Sequence, residues 1–387
     1  MKSMFDPLVL GTSSAKNSII RAATAESLAT SAGKPTQELV GKLEELAAGG
    51  VGTIITGYAY VTQDGKPSEG ALGIYDDSFS QEYRALVNRV HSHDARIIMQ
   101  LVYGGSKSKL ADDDPRWLVS DKALADDSGH VALEAGLSQR KASNVRIIGP
   151  SAIENPRTHL VPMEATHGDM ARVAQAFGAA AARAKSYGFD GVEIHAAHGY
   201  LLSQFLSGSF NVRDDRYGGA LANRARFVLE CVSETRRQVG SEFPILVKVN
   251  SCDALGDPKG DFGGLGEDES AQVCAWLAEA GASAIDVSGD WHAVPGSEVT
   301  GTPFFAAFGA RLARELPLPI IVTGGWRDFA LIERHMAEDG IAAIAMSRPF
   351  ICEPDLANRW LAGDTAPSKC TSCGYCASKP GIPCAQQ

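Results

Sequence analysis

Eight strand–helix units in a single chain predict an α/β protein closed into a (β/α)8 TIM barrel. Three observations carry this prediction. Short apolar runs recur at 18–23, 52–56, 96–101, 191–195, 244–249, 284–288, 319–323 and 341–346. Most of them lack apolar–polar alternation, which is how parallel strands buried on both faces read. Between them lie stretches whose apolar residues recur at helical spacing, so strand and helix alternate throughout. A doubly wound sheet is the second choice.

The helices follow in order. In 36–49, Leu39, Val40, Leu43, Leu46 and Ala47 share one face, and Gly49-Gly50 stops the helix. Similar faces occupy 80–90, 170–187, 221–239, 268–280, 304–316, 329–336 and 355–361. Between Leu101 and Met170 no periodicity is visible. A loop that long is usually functional or disordered. Leaving the carboxyl end of the third strand, it is expected to cap the barrel mouth and shape a substrate pocket. A second excursion, 289–302, carries Trp291 and His292.

Composition sets the outer limits. A chain of 387 residues holds two ordinary domains or one barrel with insertions, and 44% hydrophobic residues supply a sizeable core. A formal charge of −10 argues against a nucleic-acid partner and against an anionic membrane surface. The amino end, MKSMFDPLVLG, has no apolar signal region, and no window approaches a spanning helix. The expected location is therefore the cytoplasm. Cys231, Cys252, Cys274 and Cys352 are scattered, whereas Cys370, Cys373, Cys376 and Cys384 crowd the end of the chain. In a cytoplasmic protein such a cluster suggests a metal before disulfides. The expected organisation is a barrel over 1–365 with a four-cysteine extension over 366–387.

The stretch 188–227 carries the strongest chemical signal. A short strand over 191–195 ends in His195, His198 follows, and Tyr200 comes just after. Side chains at the carboxyl end of a parallel strand point into the open mouth of the sheet, where α/β enzymes place their chemistry. A buried strand followed by a charged surface loop (Arg213, Asp214, Asp215, Arg216) is the plainer alternative. Three titratable groups at one strand end weigh against it.

Two motifs stand at the far end of the barrel. Thr323-Gly324-Gly325-Trp326 follows the seventh strand, and Ser347-Arg348-Pro349-Phe350 follows the eighth. Glycines let backbone N–H groups approach an anion, a helix amino end adds a favourable dipole, and Arg348 adds a charged clamp. These loops are the usual phosphate site of the fold; ordinary strand-to-helix turns are the competing view. The phosphate would belong to a sugar phosphate or to FMN. Lys248, inside the fifth strand, favours FMN, because a cation there stabilises an anionic reduced ring and is costly to bury without a task. Gln100, ending the third strand, offers a donor and an acceptor to a flavin edge.

These segments together resemble the Old Yellow Enzyme (NADH:flavin oxidoreductase) family of FMN-dependent ene-reductases. The resemblance rests on VEIHAAHGYLLSQFLS, NVRDDRYGG and NRARF, with FDPLVLG, MQL, GPSAI and SRPFICEPDL in order around them, and it spans residues 4–362. It implies a TIM barrel with FMN at its mouth, reduced by NAD(P)H and reoxidised by a small α,β-unsaturated carbonyl compound. It also implies that His195 and His198 hold the substrate's carbonyl oxygen and that Tyr200 protonates Cα while hydride reaches Cβ. By the same resemblance Ala22, Ala23 and Thr24 line the flavin, Gly57, Gln100 and Lys248 contact its ring, and Gly325, Ser347 and Arg348 hold the phosphate. Many relatives have arginine at Lys248, glycine at Ser347 and His-x-Gly at Tyr103-Gly104-Gly105; the last change is expected to alter the substrate pocket.

The nearest branch is that of 2,4-dienoyl-CoA reductase and trimethylamine dehydrogenase. It implies His292 as a second acid, with a surface histidine as the equal alternative. The tail spacing C-x2-C-x2-C-x7-C wraps readily around a 4Fe-4S cluster. Zinc sites come as two separated knuckles, so Zn2+ ranks second and metal-free thiols third. Those relatives continue into a nucleotide-binding domain. The chain stops at Gln387, so that domain is expected to be absent and a cluster would draw electrons from a partner. A homo-oligomer is compatible with this reading. Alternatives are a flavin-dependent amine dehydrogenase or demethylase, and a flavin-free barrel lyase or isomerase acting on a phosphorylated substrate.

Overall fold

A computed structural model of the chain describes residues 2–110, 147–253, 263–289 and 303–386. The wall consists of eight strands: β1 (Ile19–Arg21), β2 (Thr53–Ile55), β3 (Arg96–Val102), β4 (Gly191–Ala196), β5 (Ile245–Asn250), β6 (Ala284–Ser288), β7 (Ile320–Thr323) and β8 (Ala343–Met346). Each pairs in parallel with the next. β8 pairs back onto β1, Met346 opposite Arg21, and the ring is closed. The fold is a (β/α)8 barrel.

Side-chain alternation explains why the strands read as unbroken apolar runs. Ile20, Ile98, Leu246 and Ile321 point into the barrel and pack on one another. Their neighbours Ile19, Ile97, Ile245, Val247 and Ile320 point outward into the larger core beneath the helices. Both faces of each strand are dry, so both select apolar residues. The inner core is sealed from below by an antiparallel hairpin, Leu8–Leu10 with Ser13–Ala15, whose Leu8, Leu10 and Ala15 plug the barrel.

The outer helices are Gln37–Ala48, Ser80–His91, His167–Tyr187, Leu221–Val239, Glu267–Glu279, Ala306–Glu315, Phe329–Glu338 and Leu356–Leu361. Most starts fall within two residues of the sequence expectation, and one moves further. The third helix begins at His167 rather than 170, because Thr166 and Asp169 form a reciprocal capping box: each side chain accepts the other's backbone N–H, at 3.1 and 3.0 Å. Among the described residues no helix is long and apolar enough to cross a membrane.

The cysteine-rich extension folds back over the carboxyl end of the barrel. Ser368 N–H donates to the Arg327 carbonyl at 2.9 Å, and Gly381 N–H donates to the Glu26 carbonyl at 2.7 Å. The Glu353 carboxylate accepts from the Ser368 hydroxyl and the Lys369 N–H and pairs with Arg359, fixing the start of the extension.

Candidate functional site

The strand ends surround a cavity of about 860 Å³, within the size range of small-molecule and cofactor sites. One wall comes from β4 and the turn after it. His198 stands in the left-handed region (φ 57°), held there because its N–H donates to Asn250 Oδ1 at 2.9 Å. That turn brings the imidazoles of His195 and His198 to 5.1 Å between centroids, nearly perpendicular. Ala197 N–H donates to His195 Nδ1, which leaves His195 Nε2 as the proton-bearing nitrogen. His198 Nδ1 lies 3.3 Å from that nitrogen, and His198 Nε2 lies 3.0 Å from the Ser288 hydroxyl.

Tyr200 caps the short helix Leu201–Leu206. Its ring lies 4.9 Å from that of His195 and 5.6 Å from that of Tyr58. Lys107 bonds the His198 carbonyl, and its ammonium sits 5.1 Å above the Tyr200 ring. Burial holds both imidazoles well below the ordinary histidine value, reinforced at His195 by His198, Lys248 and Lys107 and at His198 by Lys107, Lys248 and Arg157. Burial together with Tyr58 holds the Tyr200 phenol well above its ordinary value. At neutral pH this wall therefore presents two uncharged imidazoles and a protonated phenol.

The floor is polar. Gln100 and Lys248 reach the cavity from β3 and β5. Gln100 Nε2 donates to Glu193 at 2.6 Å, and Lys248 bonds Asp286. Burial opposes the Lys248 charge, but Asp286 and then Glu193 outweigh it and hold the ammonium above its ordinary range.

The opposite wall joins β1, β7 and β8. Ala23, Thr24, Gly324, Gly325, Ser347 and Arg348 all line the cavity, and Thr24 Oγ1 lies 2.8 Å from Ser347 Oγ. Gly324 and Gly325 have φ of 116° and 82°, conformations open to glycine at little cost. Arg327 lines the same wall, and its Nη1 is buried with no hydrogen-bond partner among the described residues. A buried cationic donor left in that state marks a place shaped for an anion.

Two expected residues stand outside the lining. Ala22 packs into the barrel core. Gly57 lies behind Thr24, where a Cβ would come within 2.6 Å of the Thr24 carbonyl and 2.8 Å of Glu26. It shapes the wall from behind. Tyr103 also turns away, its hydroxyl bonding Asp64 at 2.9 Å. His292 lies outside the described residues. The charged loop works on structure: Arg213 bonds Asp215, Glu164 and the carbonyls of Pro150 and Ala165, pinning the loop that borders the cavity.

Of the tail cysteines, Cys370 and Cys376 line the main cavity. All four, Cys370, Cys373, Cys376 and Cys384, line a second void of about 10 Å³ beside Arg348. The donor set is of the kind that holds iron–sulfur clusters or zinc. Among the described residues, however, no three or more such side chains form a metal-binding group. The thiols share a void without converging on a centre.

Sequence reasoning missed four participants. Asp286, in the apolar run AIDVS, and Glu193, one alternation before His195, both left a signal: a carboxyl at an inward position of a buried strand. Asn250 and Arg327 left none, because their roles depend on turns whose geometry the sequence does not show.

The NADH:flavin oxidoreductase / NADH oxidase family model matches residues 3–364. The chain is 32% identical over 370 residues to a metal reductase of Desulforamulus reducens, covering 94% of this chain and 49% of that protein. It is 30% identical over 312 residues to an NADPH dehydrogenase of Clostridium acetobutylicum, covering 79% of each. It thus spans about half the length of the metal reductase. A solved structure of 2-naphthoyl-CoA reductase with 2-naphthoyl-CoA superposes with a TM-score of 0.82 at 24% identity, over 96% of this chain and 54% of that one. With a family model running nearly end to end and a barrel whose polar groups gather at one mouth, the chain belongs to the NADH:flavin oxidoreductase / NADH oxidase family.

Proposed function

We propose that the chain is an FMN-dependent NAD(P)H oxidoreductase that reduces the C=C bond of an α,β-unsaturated carbonyl compound. The observation that carries this reading is the neutral His195–His198 pair beside the protonated Tyr200, on one wall of a cavity whose far wall is built for an anion. Arg327 Nη1, a buried donor without a partner among the described residues, fits the phosphate of FMN, and the paired Gln100 and Lys248 fit its ring edge. When bound, FMN supplies hydride transfer from NAD(P)H to substrate.

The chain's own residues do the rest. Neutral imidazoles donate hydrogen bonds to a carbonyl oxygen without carrying a charge that would need solvating, and those bonds strengthen as the oxygen turns anionic. Tyr200 holds a proton that it does not release to solvent at neutral pH, which suits a general acid acting on a developing carbanion. Ser288 and Asn250 fix His198, so the two donors are positioned before substrate arrives. In this reading Ala23, Thr24, Gly324, Gly325, Ser347, Arg348 and Arg327 hold the phosphate side, while Ala22 and Gly57 shape that wall from behind. The body 1–365 supplies the cavity, and 366–387 covers it. A 4Fe-4S cluster on Cys370, Cys373, Cys376 and Cys384 rests on their sequence spacing alone, since the four thiols do not converge on a centre, and iron and zinc contents decide between cluster, zinc and thiols.

The mechanism is tested by Tyr200→Phe under anaerobic stopped flow. Flavin reduction by NAD(P)H is expected to stay fast, while reoxidation by cyclohexenone slows by about 10²–10⁴. Equal slowing of both half-reactions, or of neither, removes Tyr200 as the acid.

A further inference from the structure

Behind the cavity floor one buried cation faces two buried carboxyls. Glu193 and Asp286 are each 0% exposed, and Lys248 is 2% exposed. Lys248 and Asp286 stand directly opposite each other on β5 and β6, and Glu193 stands opposite Gln100 on β4 and β3. Lys248 Nζ bonds Asp286 Oδ2 and lies 3.6 Å from Glu193 Oε2. Thr323 donates to the other Asp286 oxygen, and Gln100 to Glu193 Oε1, each at 2.6 Å. Glu193 Oε2 is left with no hydrogen-bond donor among the described residues, and the Asp286 carboxyl abuts it.

Charge decides the protonation state. Two ionised carboxylates against one ammonium leave an excess negative charge where no water solvates it, at a cost of several kcal/mol. One proton on the pair removes the excess and gives Glu193 Oε2 the hydrogen it lacks. Two abutting carboxyls share a proton readily, since ionising both sets like charges against each other. Among the described residues, the other groups facing the pair are His195 on the same strand, which is neutral, Gln100 on β3 and Thr323 on β7, so none of them balances the excess. In keeping with this, burial and Asp286 push the Glu193 carboxyl up to about 8 against the pull of Lys248.

We propose that Glu193 and Asp286 hold a single proton between them beneath Lys248, and that this pair is the proton store of the cavity floor. It rests on the flavin reading above. Glu193 does not reach the cavity; it acts through Lys248 and Gln100, as a positioning residue. With FMN bound against the floor, two electrons from NAD(P)H would add negative charge near Lys248. While the pair already carries its proton, one proton accompanies the two electrons, and it ends at the flavin. Once the pair has been ionised by raising the pH, a second proton comes in from solvent and ends on the pair.

Potentiometric titration of the FMN-loaded full chain reads this directly. The midpoint potential is expected to fall by about 30 mV per pH unit on the acid side and about 60 mV per unit above the ionisation of the pair, since a tenfold change in a two-electron equilibrium is about 30 mV. Glu193→Gln and Asp286→Asn each leave a single carboxylate, balanced by Lys248, so both are expected to show a single shallow slope. A parent without the break, or either variant keeping it, overturns the proposal.

Infrared pH-difference spectra of the flavin-free chain test the pair independently. The C=O band of a protonated carboxylic acid is expected at neutral pH in the parent and in neither variant. Should the variants fail to fold, the parent's band and slope still decide, and absence of either sinks the shared proton. A chain that shows the band yet binds no FMN overturns the flavin reading and leaves the pair standing.

Discussion

The lower and upper rungs of the barrel use the same strands and the same inward-facing alternation, yet they carry opposite side chains. Below, Ile20, Ile98, Leu246 and Ile321 meet above a hairpin that shuts out water. One or two residues further along, Gln100, His195, Lys248, Asp286 and Thr323 face or back the cavity. The lower rungs are made redundant by one another: each is one apolar contact among many. The upper rungs are interdependent, because each polar group is satisfied only by its neighbours. Stability resides in the first set and chemistry in the second, and Glu193, opposite Leu246 but bonded to Gln100, stands on the boundary.

Removing one member from each set should separate them. Lys248→Met leaves two buried carboxyls without their cation and is expected to cost about 3–5 kcal/mol in a denaturant melt, as breaking a buried pair from one side does. A melt equal to that of the parent would show that the upper rungs are not interdependent. Leu246→Ala removes apolar volume only and is expected to cost about 2–5 kcal/mol, by the same amount at every pH. A strong pH dependence of that loss would place Leu246 in the polar set. The smallest effect is the sharpest. Glu193 is raised from 4.5 to about 8, so the folded chain binds a proton there that the unfolded chain has released. Its contribution is full below pH 4.5 and is lost as pH rises through about 8. Melts across that window should slope downward in the parent and lose part of the slope in Glu193→Gln; unchanged slopes would mean that Glu193 is not the group responsible.

The contrast also explains what was legible in the sequence. The order of the barrel was readable because double-sided burial writes itself as apolar runs, and eight of them alternating with helices suit a closed ring. His195, His198 and Tyr200 were readable because titratable groups concentrate at one strand end. Glu193 and Asp286 were not singled out, since which strands face which across the interior depends on the register between β4, β5 and β6, and register is a property of the closed ring. Arg327 was invisible for a related reason: its meaning lies in a buried nitrogen with no hydrogen-bond partner among the described residues. The early helix start at His167 turned on Thr166 and Asp169 meeting as a capping box, a local signal that apolar periodicity does not carry.

The pairing of Met346 with Arg21 has a consequence for how the protein comes to exist. A closed wall has no edges, but until that last seam forms, β1 and β8 each present a row of unpaired backbone groups. The partners stand near opposite ends of the chain, so this seam is the longest-range strand contact and among the slowest to gain. The interval before it closes is when the chain is most open to pairing with another copy of itself. A ligand held at the mouth between β1, β7 and β8 favours the closed wall by mass action.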